Sequence, residues 1–444
     1  MHTNFATKAC AIAALLPTAA IAQSVFAHVI VGNTASYTIE QWTSEIELAQ
    51  SYGIDAFVLN IGTPFEGNTA TQASYAFQAC NALSSGFKMF FSFDYNGGTD
   101  GPWSQSDIIT ILQAYAPNGC HFQYDGKALV STFEGTSTDE INAWPSIRAA
   151  VNHGLYFVPD WTLLGPHGFD TSLVDGAFSW DMWPAGAHDV STTSDVAWDE
   201  DFLTPAGKTY MMGVSPWFYT DLPYKAWVWR GDSAWSLRWN QTLQIVPEFV
   251  EIATWNDYGE SHYIGPIVSA GIPSGAERYV ENYPHTGWLE TLPYQIAAYK
   301  HAYSAANPTP SVAAGEEKIV YWYRTSPASA GSTNATGNYC PSPYNAGAYQ
   351  SCVPITDILE DEVFAIVLAS QAGTASITIG GSTSTFSVSS GNNFVRKAFQ
   401  GNTGVVSVGM GSVSGSGVEI TAAPASGIAN YNAWVGCAGS CRSI

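Results

Sequence analysis

Positively charged residues are scarce in this sequence. Of its 444 residues, 15 are Lys or Arg and 37 are Asp or Glu, which gives a formal net charge of −22. Such a surface repels the phosphates of nucleic acids and anionic lipid headgroups. The composition therefore argues against nucleic-acid and membrane partners and suits a neutral substrate.

Apolar runs long enough to cross a bilayer are also lacking. The stretch "ACAIAALLPTAAIA" is too short to span one. It follows Lys8 and ends in Ala20-Ile21-Ala22, which is typical of a secretion signal cleaved before Gln23. Residues 1–22 are therefore predicted to be a signal peptide, and the mature protein is expected in the extracellular space or the cell wall.

Cysteines are few, and none forms a C-x-x-C pair. Cys10 lies in the predicted signal, and an even number in the exported remainder favours disulfides. Proximity in the sequence suggests the pairs Cys80–Cys120, Cys340–Cys352 and Cys437–Cys441, one of the 15 connectivities that six cysteines allow. Two sequons, at Asn240 and Asn334, predict glycan acceptors on the same route.

Several catalytic motifs are missing. The sequence has no G-x-S-x-G, no H-E-x-x-H and no Walker loop. The stretch "DYNGGTDG" resembles a calcium loop only faintly, because no Glu stands at its twelfth position. We therefore expect no metal and no cofactor.

What is present, over residues 23–306, is a regular alternation of apolar strands and helical segments. The helical segments often end in Gly before the next strand, as in "AQSYG" before "IDAFVLNIG". Eight such strands in about 280 residues predict an α/β fold, a (β/α)8 TIM-type barrel. The competing layout is an open doubly wound sheet, but "VGNTAS" after the first strand is not a Gly-rich nucleotide loop.

The composition changes near residue 307. Residues 307–317, "NPTPSVAAGEE", are predicted to be a linker. Residues 318–444 consist of short alternating strands rich in Ser, Thr, Gly and Val, which predicts a C-terminal antiparallel β-sandwich domain. Because this part contains only two tryptophans, structural support of the barrel is favoured over an independent sugar-binding role.

Polar side chains stand at the predicted carboxyl ends of the strands, where barrel active sites lie: His28, Asn33, Asn60, Asp94, Glu134, Asp160 and Asp181. An Asp after a strand is often only a helix cap or a turn former. That interpretation is favoured for Asp181 and is evenly balanced for Asp160 and Glu134. Asp94 ends the very apolar run "FKMFFSF", so its carboxylate is expected at the barrel mouth.

Two acids three residues apart, Asp257 and Glu260, follow the eighth strand in "TWNDYGESHY". A loop with an Asx turn would explain either acid, but not the aromatic residues around them. Glycoside hydrolysis needs one carboxylic acid to protonate the leaving oxygen and a carboxylate that activates water or attacks the sugar. Aromatic neighbours raise the pKa of one acid by desolvating it. We expect this pair to be catalytic.

Tryptophans are numerous and cluster near the same strand ends. Most are core residues by default, but five could stack on sugar rings: Trp161, Trp180, Trp183, Trp217 and Trp255. Three further residues after the eighth strand are expected in the sugar site: Tyr258, His262 and Tyr263.

Five ordered motifs resemble glycoside hydrolase family 71, the fungal α-1,3-glucanases or mutanases: "FAHVIVGNT", "GIDAFVLNIG", "FKMFFSFD", "VPDW" and "ATWNDYGESHYIGP". The resemblance covers residues 25 to about 300. It implies hydrolysis of α-1,3-glucosidic bonds with inversion, and it marks Asp257 and Glu260 as essential. It further implies that Asp94 holds water or a substrate hydroxyl. Glu260 would be the acid and Asp257 the base, an order that the sequence alone does not fix.

The sequence therefore predicts a secreted, monomeric enzyme that acts on α-1,3-glucan. Two alternatives stay open: a hydrolase of another glucan on the same barrel, and a non-catalytic glucan-binding protein of the cell wall. An intact acid pair is not needed by a protein that only binds.

Overall fold

A computed structural model describes residues 23–184, 186–338 and 353–443. The predicted signal peptide, residues 1–22, and the predicted Cys340–Cys352 pair lie outside the described residues. Within them, no helix combines the length and apolar character needed to cross a membrane.

The apolar runs predicted as strands form a curled, mostly parallel sheet. The strands before residue 305 are β1 Ser24–Ile30, β2 Ala56–Thr63, β3 Lys88–Gly98, β4 Gln123–Tyr124, β5 Lys127–Phe133, β6 Leu155–Phe157, β7 Gly176–Ser179, β8 Thr209–Val214, β9 Tyr219–Leu222, β10 Lys225–Val228 and β11 Phe249–Ile252. Neighbours follow the order β4-β5-β3-β2-β1-β11-β8-β7, and β6 pairs with β5. Parallel bridges join Asp160 to Phe133 and to Phe178, so the segment after β6 links β5 to β7. The α/β class is confirmed.

Helices follow most of the parallel strands: α1 Ile39–Ser51, α2 Gly67–Leu83, α3 Gln105–Tyr115, α4 Thr138–Ala150, α5 Thr193–Trp198, α6 Ala234–Ile245, α7 Glu277–Val280 and α8 Leu292–Tyr303. Local sequence fixes several starts, since Thr38 and Ser104 accept amide hydrogen bonds as N-caps and Ser137 forms a capping box with Glu140. After α1, Gly53 adopts a φ of +93°, which a residue with a Cβ rarely adopts.

The hairpin of strands β9 and β10 was not predicted from the sequence. Strands β9 and β10 pair antiparallel directly after β8, and β10 also pairs with the two-residue strand β13 Thr336–Gly337. This hairpin lies beside the loop after β11, because the amide of Tyr219 donates to the carbonyl of Glu260.

The C-terminal part contains two antiparallel sheets. Its elements are β12 Lys318–Tyr323, α9 Ile355–Ile358, β14 Glu362–Ala369, β15 Gly373–Ile379, β16 Ser382–Val388, β17 Gly391–Ala398, β18 Gly404–Met410, β19 Val413–Ile420 and β20 Trp434–Gly439. The sheet orders are β17-β14-β12-β20 and β16-β15-β18-β19. One apolar cluster joins side chains of both sheets, including Tyr321, Val363 and Ile377. Strand β20 was not predicted.

A continuous apolar core runs from the parallel sheet into the C-terminal part. The rings of Trp288 and Trp322 lie 6.0 Å apart. In the sequence these two residues flank residues 307–317, which contain neither helix nor strand. Arg324 adds a buried ion pair with Asp232, at 3.0 Å. The two parts are therefore packed together rather than merely tethered.

Two of the predicted disulfides, Cys80–Cys120 and Cys437–Cys441, are present. The side chains of both predicted glycan acceptors, Asn240 and Asn334, are exposed. Their glycosylation remains a prediction.

The buried pair between the two parts can be tested with Arg324→Met. It leaves the carboxyl of Asp232 buried without its cation, so we expect the free energy of unfolding to fall by roughly 3 kcal/mol. Arg396→Met is the matched control, because Arg396 is half exposed where it pairs with Glu360, and it should cost about 1 kcal/mol or less. Chemical unfolding measures both. Equal losses of unfolding free energy in the two variants would show that the buried Arg324–Asp232 pair stabilises the protein no more than the exposed Arg396–Glu360 pair.

Candidate active site

Both predicted catalytic acids stand on the loop that follows β11. The amide of Asp257 donates to the Thr254 hydroxyl over 2.8 Å, and the amide of Glu260 donates to Oδ1 of Asp257 over 3.1 Å. These bonds from backbone to side chain fix a tight loop. One oxygen of each carboxyl lies within 4.8 Å of the other and of a ring nitrogen of His262. The structure thus brings Asp257, Glu260 and His262 together, as expected.

Glu260 is held as a carboxylate. Its Oε1 lies 2.6 Å from Nζ of Lys225, and its Oε2 lies 2.9 Å from Nε2 of His262. Burial alone would favour the neutral acid, but Lys225 and His262 outweigh it and lower the pKa of Glu260 to about 2. The group is therefore ionised over the whole range in which secreted enzymes work.

The pKa of Asp257 is shifted in the opposite direction. Burial, together with repulsion from the Glu260 carboxylate, raises the pKa of Asp257, and His262 and Lys225 oppose this only in part. The nearest approach of His262 Nε2 to Asp257 is 3.9 Å. Two neighbouring acids with pKa values pushed apart are the arrangement that acid–base catalysis requires.

Lys225, the cation of this site, was not found by the sequence analysis. It begins strand β10 of the unpredicted hairpin, 35 residues before Glu260, the acid it contacts. In the sequence it is a single Lys in "PYKAW", with no pattern around it. Only the pairing of β9 with β10 shows that its side chain reaches Glu260.

The floor of the site contains a buried His–Glu pair. Nδ1 of His28, on β1, lies 2.7 Å from Oε1 of Glu251, on β11, and each side chain is 1% exposed. Close by, Nδ2 of Asn60 donates to Asp94 over 3.2 Å. Burial raises the pKa of Asp94, while hydrogen bonds and the charge of His28 limit the rise. Asp94 and Asn60 are thus adjacent, as their strand-end positions suggested, whereas Glu251 was read only as strand.

Near the end of β3, the backbone at Gly97 lies close to the Asp94 carboxyl. A Cβ on Gly97 would lie 2.6 Å from Oδ2 of Asp94, which is closer than real Cβ contacts come. A side chain at position 97 would therefore displace the Asp94 carboxyl, whereas Gly97 leaves it in place.

Three more acids lie at the ends of β5, β6 and β7. Burial and the charges of Asp181 and Asp94 raise the pKa of Glu134 to about 7, despite a hydrogen bond from the Leu163 backbone. Burial and Glu134 raise the pKa of Asp160 well above its usual range. Burial also raises the pKa of Asp181, which accepts a hydrogen bond from Ser194.

Two of the predicted tryptophans border the catalytic loop or the acids. The ring of Trp183 lies 5.7 Å from that of His262, and Trp229, which was not singled out, lies 6.0 Å from Trp183. The ring of Trp180 lies 5.1 Å from that of His28, and Trp180 is partly exposed. These rings are the candidate sugar platforms.

The other aromatic candidates are buried behind the site, and this corrects their expected contact with sugar. Trp161, Trp217, Trp255, Tyr258 and Tyr263 are at most 1% exposed. Trp255 donates to Glu45 on α1 over 2.9 Å, and Trp217 donates to the carbonyl of Tyr431 over 2.8 Å. Such residues follow a strand end but point into the layers around the sheet, so they support the loop instead of touching substrate.

Asp257, Glu260 and His262 also form the one group within the described residues that could hold a metal ion. The ammonium of Lys225 already neutralises Glu260 at 2.6 Å. A cation bound there would be repelled by this charge, so the donor set fits a metal poorly.

Comparisons with known proteins identify the family of this chain. The model of glycosyl hydrolase family 71 matches residues 21–443. A glucan endo-1,3-alpha-glucosidase of Schizosaccharomyces pombe is 36% identical over 93% of this chain and 94% of its own length. A mutanase of Penicillium rubens is also 36% identical, over 80% of this chain and 75% of its length. An ascus wall endo-1,3-alpha-glucanase of Schizosaccharomyces pombe is 28% identical over 78% of this chain and 80% of its length.

Among solved structures, a GH99 endo-alpha-mannosidase from Bacteroides thetaiotaomicron aligns with a TM-score of 0.45 and 14% identity, over 63% of this chain and 98% of that chain. The family match extends over nearly the whole chain and confirms the resemblance seen in the five motifs. The chain therefore belongs to glycosyl hydrolase family 71.

Proposed function

We propose that this protein is a secreted glycoside hydrolase that cleaves α-1,3-glucosidic bonds in α-1,3-glucan. The observation that carries the proposal is the pair Asp257 and Glu260, two neighbouring carboxyls with opposite pKa shifts beside tryptophans. Family membership and the names of the relatives give the bond type. The acidic surface suits an uncharged polysaccharide, because it neither attracts nor repels one.

The proposal includes the architecture that such an enzyme would use. Eight parallel strands, β1, β2, β3, β5, β6, β7, β8 and β11, would close into a (β/α)8 barrel through the bridges at Asp160. The C-terminal sheets would form a sandwich around their common apolar cluster. The barrel would comprise residues 23–306, the linker 307–317 and the sandwich 318–444, and residues 1–22 would direct secretion. The mature protein would act as a monomer.

The charges of the ligand-free site suggest which acid has which role. Asp257, whose pKa is raised, would donate the proton to the glycosidic oxygen, and Glu260, which is ionised, would activate water. This reverses the order suggested by the resemblance. Asp94, oriented by Asn60, would hold a sugar hydroxyl close to the bond that breaks.

The stereochemical outcome depends on the gap between the two carboxyls. Inverting enzymes hold them roughly 6.5–9.5 Å apart, with a water in between, whereas oxygens of Asp257 and Glu260 lie within 4.8 Å of each other. Both side chains are 19% exposed, so substrate can reach them. We propose that substrate entry separates them and that the reaction inverts.

The anomer of the first product tests this. Inversion at an α-linked glucose releases the β anomer, which NMR detects before mutarotation. We expect the β anomer from α-1,3-oligosaccharides. An initial α anomer would instead indicate retention, for which carboxyls roughly 5–5.5 Å apart are usual.

Removing either carboxyl tests the catalytic pair. Asp257→Asn and Glu260→Gln keep the side-chain shape but remove acid–base chemistry, so reducing-sugar release from insoluble α-1,3-glucan should fall by roughly 10²–10⁴-fold. Glu277→Gln, an exposed acid after the same loop, is the control and should keep full activity. Circular dichroism checks folding. A folded variant that retains activity would remove that acid from the mechanism.

The same assay separates the proposal from a pure glucan-binding protein. Wild type that sediments with the glucan but releases no reducing ends would favour binding alone. Release from another glucan, such as starch or laminarin, with none from α-1,3-glucan would change the substrate.

Replacing Lys225 tests the roles. Lys225→Met removes the ammonium that stabilises the Glu260 carboxylate, so the pKa of Glu260 should rise. Because the ionised form would be the active base, the acid limb of kcat/KM should move to higher pH by about 1–3 units. Lys225→Arg keeps the charge and should leave the limb in place. A shift of the alkaline limb instead would make Glu260 the proton donor.

A further inference from the structure

A second pair of carboxyls, Glu134 and Asp160, has no part in the mechanism above. Glu134 follows β5 and is 7% exposed, and Asp160 follows β6 and is fully buried. Around the curled sheet the strand order is β11, β1, β2, β3, β5, β6, β7, β8. The end of β5 is therefore four strands from the end of β11 in either direction. The second pair faces the Asp257–Glu260 loop across the carboxyl edge of the sheet.

The backbone brings these two acids together. Asp160 bridges directly to Phe133, the residue before Glu134. The short turn Thr162–Leu164 then anchors both carboxyls. Oδ1 of Asp160 accepts hydrogen bonds from the amide and the hydroxyl of Thr162, at 3.1 and 2.5 Å, and the backbone of Leu163 hydrogen-bonds to Glu134.

Each acid keeps one buried oxygen without a partner, Oε2 of Glu134 and Oδ2 of Asp160. Two buried carboxylates side by side repel each other, and a buried acceptor without a donor costs free energy. A single proton held between the two groups removes both costs, because a protonated carboxyl is a donor. Within the part of the chain that the structure describes, the main charges that act on these two acids are those of Asp94, Asp181 and the acids themselves, which are all negative.

The pair also lies at a candidate sugar platform. The hydroxyl of Thr162, which donates to Asp160, accepts the amide of Trp180 over 2.8 Å. The ring of Trp180 lies 5.1 Å from that of Phe133. A sugar ring that stacks on Trp180 would therefore place its hydroxyls beside Glu134.

We propose that Glu134 and Asp160 share one proton, and that the buried Asp160 thereby positions Glu134 to bind glucose hydroxyls opposite the loop that carries Asp257 and Glu260. This inference rests on the proposed function for its ligand, a glucan. Its proton-sharing part is independent of substrate, and the experiment treats the two separately.

The enzymatic test compares Glu134→Gln, Glu134→Ala and the control Asp170→Asn, an exposed acid that caps Ser172. The amide of Gln can replace the protonated carboxyl, so Glu134→Gln should keep activity within a few-fold. Since the pKa of Glu134 is about 7, kcat/KM of wild type should fall above neutral pH as the shared proton is lost. Glu134→Gln should make this fall less steep and leave only the part that follows from loss of the Asp257 proton. Glu134→Ala should raise KM roughly 10-fold with little change in kcat. Asp170→Asn should behave as wild type.

Infrared spectroscopy detects the proton shared by Glu134 and Asp160 in the absence of substrate. The absorption of a protonated carboxyl should disappear from wild type as the pH rises through neutrality, and it should be reduced at pH 6 in Glu134→Gln and in Asp160→Asn. An unchanged band in both folded variants would overturn the shared proton. The same fall in kcat/KM above pH 7 in Glu134→Gln as in wild type would overturn its role in binding. An inactive wild type with the expected infrared titration would refute the glucan ligand and the proposed function but not the shared proton.

Discussion

The desolvation of carboxyl groups is the constraint around which the cleft is organised. Moving a carboxylate out of water costs several kcal/mol unless a cation or a set of hydrogen-bond donors compensates. At the carboxyl edge of this sheet, each acid receives a different compensation. Glu260 has Lys225 and His262, Asp94 has Asn60, and Asp257 has too little, so it favours the proton. The proposed division into donor and base follows from these partners and not from the residue types.

The C-terminal part packs closely on the loop that carries two of these acids. Aromatic residues of this loop are buried. The side-chain amide of Asn432 donates to the hydroxyl of Tyr263, and Nε2 of His285, stacked on Tyr263, lies 3.0 Å from the carbonyl of Ala433. Trp217 donates to Tyr431 in the same segment. The C-terminal part therefore contacts residues that surround the loop after β11, and its role in supporting that loop remains a prediction.

The sequence predicted the features that depend on local pattern. Apolar runs of strand length identified all eight parallel strands. Asp94 was singled out because it ends a very apolar run, and Asp257 and Glu260 because aromatic residues surround them. What was missed depends on contacts between distant residues. Lys225 is a single Lys that reaches the site through a hairpin whose apolar and polar residues do not alternate clearly. Glu251 lies inside an apolar strand, where the sequence pattern does not reveal an inward-facing acid. Trp255 was assigned to the cleft because periodicity does not say which layer a strand-end side chain enters.

Most of the few basic residues form ion pairs in the structure. At least ten of the 15 Lys and Arg side chains lie within 4 Å of an Asp or Glu. Arg238 and Arg324, among the largest fully buried side chains, each neutralise a buried acid, Asp195 and Asp232. With most cations engaged in this way, few remain to form a basic patch, and the 37 acidic residues dominate the surface potential. Such a charge suits a ligand that is recognised through stacking and hydrogen bonds to neutral groups, which the tryptophans and carboxyls at the strand ends can provide.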